Sequence, residues 1–179
     1  MSDLWFTLPQ DMIDYVDAHA RRLTNVATDA DDGYTRSDAI KFEYSRRGFR
    51  GEAAARLYFT RAVRWSLLDG DASAPDFSDF IDVKCRGEVR HKMPVRRKVW
   101  FPERAYLLVC GAQHPRYRIV KWCWGHELAT PDRWYDPNTG RPAWWVHEDD
   151  PIMKPPEVLK EMALARKLSP QRTGSPALT

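Results

Sequence analysis

The stretch PDFSDFIDVKC, at residues 75–85, decides how this chain is interpreted. Its second half, FIDVK, alternates apolar and polar side chains and predicts a β-strand. Side chains two apart in a strand project to the same face, so we expect Asp82 and Lys84 on one face and Ile81 and Val83 in the core. Across the short turn FSDF, a tight hairpin would return Asp76 to the side of Asp82. The stretch therefore predicts two carboxylates and an ammonium group together above a packed sheet.

Two helices are predicted before this stretch. Residues 10–27 carry apolar side chains at three- and four-residue steps, which is typical of one buried stripe. The second helix is predicted to begin at Gly51 and to run through GEAAARLYFTRAVRW, whose alanines are strong helix formers. This start would place Glu52 in the first turn, where a carboxylate is favoured by the helix dipole. Glu52 is then the candidate for a third carboxylate at the site.

The part of the chain after this stretch predicts more strands and a last helix. Strands are expected at residues 106–110 and 117–123, joined as a hairpin by AQHPR. A short edge strand is expected at residues 144–147, and a helix at residues 155–167. The order of elements predicts an α/β fold with a small mixed β-sheet flanked by helices. We expect one domain over residues 1–168 and a disordered tail over residues 169–179.

Composition excludes several classes of protein. The chain has 179 residues, 43% of them hydrophobic, which is enough to fill a core and excludes a wholly disordered chain. It contains no apolar run near the ~20 residues of a membrane span, and no secretory signal or membrane partner is expected. The three cysteines have no paired spacing, so neither a disulfide scaffold nor a zinc site is expected. A reducing, cytoplasmic location fits this pattern best.

Positive charge is concentrated directly after the predicted site. Residues 84–121 hold eleven Lys and Arg residues against two acids, although the whole chain carries a net charge of only +3. Such a segment indicates a face that binds a polyanion, most simply nucleic acid. The alternative is an ordinary solvated basic surface, which is the more common explanation of a charge run taken alone. The residues expected to contact backbone phosphates are Arg86, Arg90, Lys92, Arg96, Arg97 and Lys98.

Carboxylates beside a lysine suit metal-assisted hydrolysis of a phosphodiester. Mg²⁺ prefers oxygen ligands and keeps several of its waters, so Asp76 and Asp82 are candidate ligands. Lys84 could orient or deprotonate an attacking water, or neutralise the charge that develops on the phosphate. Each motif alone arises about once by chance in a chain of this composition. The order and spacing of the motifs carry the hypothesis.

The runs GFRGEAAARLYF, PDFSDFIDVKCRGE, YLLVCG and YRIVKWCWGHEL together resemble the PD-(D/E)xK, or restriction-endonuclease-like, nuclease superfamily, over roughly residues 48–128. The likeness is greatest to small phage or prophage-type members. The resemblance implies a restriction-endonuclease-like core, in which Mg²⁺ or Mn²⁺ is bound by Asp76, Asp82 and the backbone carbonyl of Val83, sometimes with Glu52. Lys84 takes the place of the family lysine. Asp76 lies six positions before Asp82, at the short end of the family range, and Asp79 competes with Asp76 as first ligand and ranks second.

The resulting expectation is a divalent-metal-dependent nuclease that cleaves DNA, with RNA left open as substrate and a homodimer left open as assembly. Water attack would leave a 5′-phosphate and a 3′-hydroxyl, as the resemblance implies. The first alternative is a non-catalytic nucleic-acid-binding module on the same fold. The second is an interaction protein whose basic segment binds an acidic partner. Metal dependence separates the nuclease from both, and a steep salt dependence of DNA binding separates the two alternatives.

Overall fold

The computed structural model describes residues 4–26, 38–59, 75–88, 92–136 and 140–168. The tail expected at residues 169–179 and the predicted phosphate contact Arg90 lie outside these ranges. Within them, no helix is long and apolar enough to cross a membrane.

Four helices and two small sheets make up the described part of the chain, which confirms the α/β class. In chain order the elements are β1 (Leu4–Thr7), α1 (Gln10–Val26), α2 (Asp38–Phe59), β2 (Ile81–Arg86), β3 (Met93–Val95), β4 (Ala105–Gln113), β5 (Arg116–Trp124), α3 (Gly125–Leu128), β6 (Trp134–Tyr135), β7 (Ala143–Val146) and α4 (Pro156–Leu168). The predicted hairpin is confirmed as β4 and β5, and the predicted last helix as α4.

The larger sheet has the strand order β1-β5-β4-β2. β2 runs parallel to β4, whereas β5 is antiparallel to both β4 and β1, so the sheet is mixed as expected. The smaller sheet has the order β3-β7-β6 and is antiparallel throughout. Among the strands that the structure describes, β2 therefore lies at an edge of the larger sheet, and β4 is its one neighbour in that sheet.

Apolar side chains cover both faces of the larger sheet. On one face, α1, α2 and α4 pack against β2, β4 and β5 through residues such as Val16, Ala54 and Leu159. On the other face, alternate residues of β4 and β5 pack against β3, β7 and α3, with Tyr106, Met93 and Val146 among the buried side chains. Burial on both faces makes this sheet a rigid platform for the residues at its β2 edge.

The second helix does not begin at Gly51, contrary to the prediction from the sequence. α2 begins at Asp38 and continues through Gly48 and Gly51, which places Glu52 well inside the helix instead of in its first turn. Packing explains why glycine is kept there. A Cβ atom on Gly51 would lie 2.4 Å from the Cβ of Cys85 on β2, so only glycine lets the helix approach the strand this closely.

The strand expected at residues 144–147 is not an edge strand. β7 is the central strand of the smaller sheet, with Trp144 opposite both Val95 and Trp134, and Trp145 opposite Pro94. Its second partner, β6, comes from the proline-containing segment before it, which also forms a 3-10 turn at Pro131–Arg133. A two-residue strand leaves too weak an alternation to be seen in the sequence.

The two glycines of α2 should respond to alanine with opposite signs. We expect Gly48→Ala to raise the free energy of unfolding by about 0.5–1 kcal/mol, since alanine is the better helix former and a Cβ there meets nothing within 4 Å. We expect Gly51→Ala to lower it by about 1–3 kcal/mol through overpacking against Cys85. Urea unfolding of both variants measures the difference, and equal effects would contradict the close α2–β2 contact.

Candidate active site

Asp82 and Lys84 lie on the same face of β2, as the alternation predicts. The Lys84 ammonium donates a hydrogen bond of 2.8 Å to Asp82 Oδ2 and lies 5.8 Å from the centre of the Tyr106 ring. Asp82 is 6% exposed. Ile81 and Val83 enter the helix-side core, again as predicted. A buried carboxylate and a partly buried ammonium therefore form a pair at the edge of the sheet.

Asp76 folds back onto this edge through a short turn. The backbone groups of Phe77 and Ile81 exchange two hydrogen bonds of 3.0 and 3.1 Å, and Ser78 between them takes a positive φ of 52°. Asp76 Oδ2 then accepts a hydrogen bond of 2.6 Å from the Val83 N–H. Asp76 thus sits beside the strand that carries Asp82. Asp76 directly precedes the isolated β-bridge between Phe77 and Ile81, and it does not lie in a strand.

Asp79, the competitor of Asp76, points elsewhere. Its side chain is 81% exposed and forms an ion pair of 3.5 Å with Arg166 on α4. Only Asp76 of the two aspartates in the turn reaches the β2 edge.

Glu52 is brought to the same place by the close packing of α2 on β2. It is buried, and its charge acts on Asp76 more strongly than that of any other residue. The sequence predicted Glu52 as a third carboxylate, and the structure places it in the interior of α2, near enough for its charge to act on Asp76. The close approach at Gly51, the preceding residue, sets this position.

The site has an excess of buried negative charge. Burial raises the pKa of the Asp76 carboxyl well above its ordinary value, and the carboxylates of Glu52 and Asp82 raise that pKa further. The Lys84 ammonium opposes this shift. A cation bound next to Asp76 would relieve the repulsion and oppose this rise in the pKa of the carboxyl.

The donor set fits a hard divalent cation held by few protein ligands. Mg²⁺ is commonly bound by one or two carboxylates, with water and substrate phosphate completing its shell. Because the Val83 N–H turns toward Asp76 and away from β4, the carbonyl of Val83 leaves the strand on that same edge. Among the described residues, no three His, Cys, Asp or Glu side chains converge as a ready metal cage. The arrangement therefore suits a divalent cation bound by the carboxylates of Asp76 and Asp82 and by the carbonyl of Val83.

The predicted phosphate contacts do not form one cluster. Arg86 is the last residue of β2, and Arg96 lies with it along a groove beside the strand. Lys92 lies over the Tyr135 ring at 5.3 Å, and Arg97 and Lys98 are exposed on the 3-10 turn Arg97–Val99. Of the predicted phosphate contacts that the structure describes, Arg86 and Arg96 line the groove that also reaches Lys84.

The structure adds residues to this groove that the sequence alone did not indicate as functional. Tyr44 comes from α2, and Arg141 and Trp145 come from the smaller sheet and the segment before it. Alternation in AWWV could have indicated that one of the two tryptophans faces outward. The groove also contains Cys85, but burial raises the pKa of this thiol to about 12, so it is not a nucleophile at neutral pH.

Neither a family model, nor a curated protein, nor a solved structure matches this chain.

Proposed function

We propose that this protein is a divalent-metal-dependent nuclease that hydrolyses DNA phosphodiester bonds on a restriction-endonuclease-like core. One observation carries the proposal: Asp76 and Asp82 are held side by side at the open edge of β2, with the Lys84 ammonium 2.8 Å from Asp82. Two carboxylates and a lysine in this order are what metal-assisted phosphodiester hydrolysis needs.

Asp76, Asp82 and the Val83 carbonyl would hold Mg²⁺ or Mn²⁺, with Glu52 as an auxiliary ligand. The bound cation would supply positive charge to the scissile phosphate and lower the pKa of a bound water. Asp82 would orient the Lys84 ammonium, to which it is already hydrogen bonded. From that position, Lys84 would guide the attacking water or neutralise charge on the phosphate. The products would carry a 5′-phosphate and a 3′-hydroxyl.

The basic side chains beside the site support a nucleic-acid substrate. Arg86 and Arg96 line the groove that reaches Lys84, and arginine is well suited to binding phosphate. DNA is the proposed substrate, and RNA is the alternative. A cytoplasmic location and a homodimer belong to the same proposal.

A non-catalytic nucleic-acid-binding module is the second candidate. The observation that favours it is the ion pair between Lys84 and Asp82, which satisfies one carboxylate without a metal. In such a module the acids would stabilise the edge of the sheet, and the basic groove would bind nucleic acid.

The test is incubation of the protein with linear, nicked-circular and branched DNA, with Mg²⁺, with Mn²⁺ and with EDTA. We expect cutting with either cation and none with EDTA, and the new ends should be ligatable, as 5′-phosphates are. If no substrate is cut although DNA is bound in EDTA, the nuclease fails and the binding module is supported. Cutting that persists in EDTA would contradict the metal-dependent mechanism.

A further inference from the structure

We propose that the groove along β2 holds a single strand of nucleic acid, with one base stacked on Trp145. This inference deepens the proposed function and rests on it, because it names the form of nucleic acid that reaches Lys84. The groove has a volume of about 530 Å³, within the roughly 300–1,000 Å³ typical of ligand sites. The open edge of β2, the Tyr44–Gly48 region of α2 and the smaller sheet form its walls.

The alternation of β7 directs Trp145 into the groove. Trp144 and Val146 lie on the face of the smaller sheet that packs against β4 and β5, so Trp145 and Ala143 lie on the opposite face. The Trp145 ring is partly exposed and stacks against Tyr135, with their centres 5.8 Å apart. Its indole N–H is already bonded to the Tyr135 carbonyl, at 3.0 Å. The ring is thus held in position and presents an aromatic surface.

The charge of the groove is complementary to a phosphate backbone. Arg86, Arg96 and Arg141 line the groove. Lys84 also lines it and is hydrogen bonded to Asp82 of the candidate site. Arg86 is the clearest case, because its guanidinium lies 6.0 Å from the Trp145 ring centre and its buried Nε–H has no hydrogen-bond partner among the described residues. Burial lowers the pKa of Arg86, and the nearby charge of Arg47 lowers it further. A buried guanidinium beside a second cation is stabilised by an anion.

A single strand fits these features better than a duplex. A base can stack on a side-chain ring only when it is unstacked from its neighbours, which occurs in single strands, flaps and ends. Aromatic rings alternating with cations are the usual platform of proteins that bind single strands without sequence preference. A strand lying along Arg86 and Trp145 would continue directly to Lys84 at the candidate site.

The binding test uses a short fluorescein-labelled oligothymidylate and its duplex with oligoadenylate, titrated in EDTA so that neither is cut. We expect the single strand to bind more tightly than the duplex, and Trp145→Ala to weaken single-strand binding about 10-fold, as expected for loss of one stacked base. Trp145→Phe should retain most of the affinity. Arg86→Met should weaken binding and make its salt dependence less steep by about one ion.

Trp5→Ala is the matched control. Trp5 is a partly exposed tryptophan with Arg116 5.0 Å from its ring centre, but it lies on β1 at the opposite edge of the larger sheet. Its replacement should leave binding unchanged, and thermal unfolding of each variant shows whether it is folded. Tighter binding of the duplex, or equal binding by Trp145→Ala, Trp145→Phe and the wild type, would overturn the proposal. Repeating the titration with oligouridylate shows whether the protein prefers DNA or RNA. Binding of either strand that is weakened by Trp145→Ala supports the groove.

Failure of this inference can be distinguished from failure of the nuclease. Single-strand binding that depends on Trp145, with no cutting in Mg²⁺ or Mn²⁺, would support the groove and refute the catalytic function. Metal-dependent cutting that is unchanged in Trp145→Ala would support the nuclease and refute the groove.

Discussion

Replacing Lys84 with methionine is expected to slow metal-dependent DNA cleavage by about 10²- to 10⁴-fold, the range for loss of a positioned acid–base or charge-stabilising group. Methionine keeps an unbranched apolar side chain over the Tyr106 ring but removes the ammonium that is bonded to Asp82. Binding of DNA in EDTA should change little, because the arginines of the groove remain. The measurements are single-turnover cleavage rates and binding titrations on the same DNA.

Lys160→Met is the control for this change. Lys160 is also a partly buried lysine over a tyrosine, with its ammonium 4.9 Å from the centre of the Tyr58 ring. It lies on α4, however, and not on the strand that carries Asp82. Its replacement should leave cleavage unchanged. Lys84→Met that is folded and cuts at the wild-type rate would exclude Lys84 from the reaction.

The variant Lys84→Arg separates the two roles proposed for the lysine. Arginine keeps the positive charge and can pair with Asp82, but it does not give up its proton in proteins. Cleavage near the wild-type rate would assign Lys84 to charge stabilisation. A loss as large as in Lys84→Met would assign it to proton transfer or to an orientation that arginine does not reproduce.

Asp76→Asn is expected to have opposite effects on activity and stability. Cleavage should fall by about 10²-fold or more, since loss of a metal ligand removes several kcal/mol of stabilisation of the transition state. The metal-free protein, in contrast, should become more stable at neutral pH. Asparagine removes a charge repelled by Glu52 and Asp82, while its side-chain carbonyl can still accept the Val83 N–H.

The sign of the pH dependence follows from the raised pKa of Asp76. A carboxyl whose pKa is higher in the folded than in the unfolded protein stabilises the fold at low pH, and this contribution is lost as pH rises through the folded-state pKa. In EDTA, the melting temperature of the wild type should therefore fall from about pH 4 toward neutral pH relative to that of Asp76→Asn. Each kcal/mol of difference corresponds to about 2–4 °C for a chain of this size.

Asp79→Asn is the matched control for Asp76→Asn, because it changes the same residue type in the same turn at an 81% exposed position. It should keep both cleavage and the pH profile of the wild type. Mg²⁺ or Mn²⁺ should raise the melting temperature of the wild type and of Asp79→Asn, but not of Asp76→Asn. If Asp79→Asn loses activity and Asp76→Asn keeps it, the first ligand is Asp79, and the edge of β2 is not the metal site.

The part of the molecule that the sequence predicted well is governed by local patterns. The alternation in FIDVK placed Asp82 and Lys84 on one face of a strand, because successive strand side chains point to opposite faces whatever lies around them. The hairpin of β4 and β5 and the helices α1 and α4 also followed from local periodicity and turn residues. The short turn FSDF was the basis for predicting that Asp76 returns to the side of Asp82, and the restriction-endonuclease-like core itself is a proposal.

Contacts between distant segments decided the rest. The sequence predicted a helix start at Gly51, but Gly51 lies inside α2, where Cys85, far along the chain, leaves no room for a side chain. The same contact between α2 and β2 places Glu52 near Asp76. The pairing of β7 with both β3 and β6, which no local pattern specifies, turns Trp145 toward Arg86 and forms the groove. The sequence by itself determined which side chains share a strand face. Only the tertiary structure decided which faces meet, because packing of distant segments depends on volume and shape instead of period.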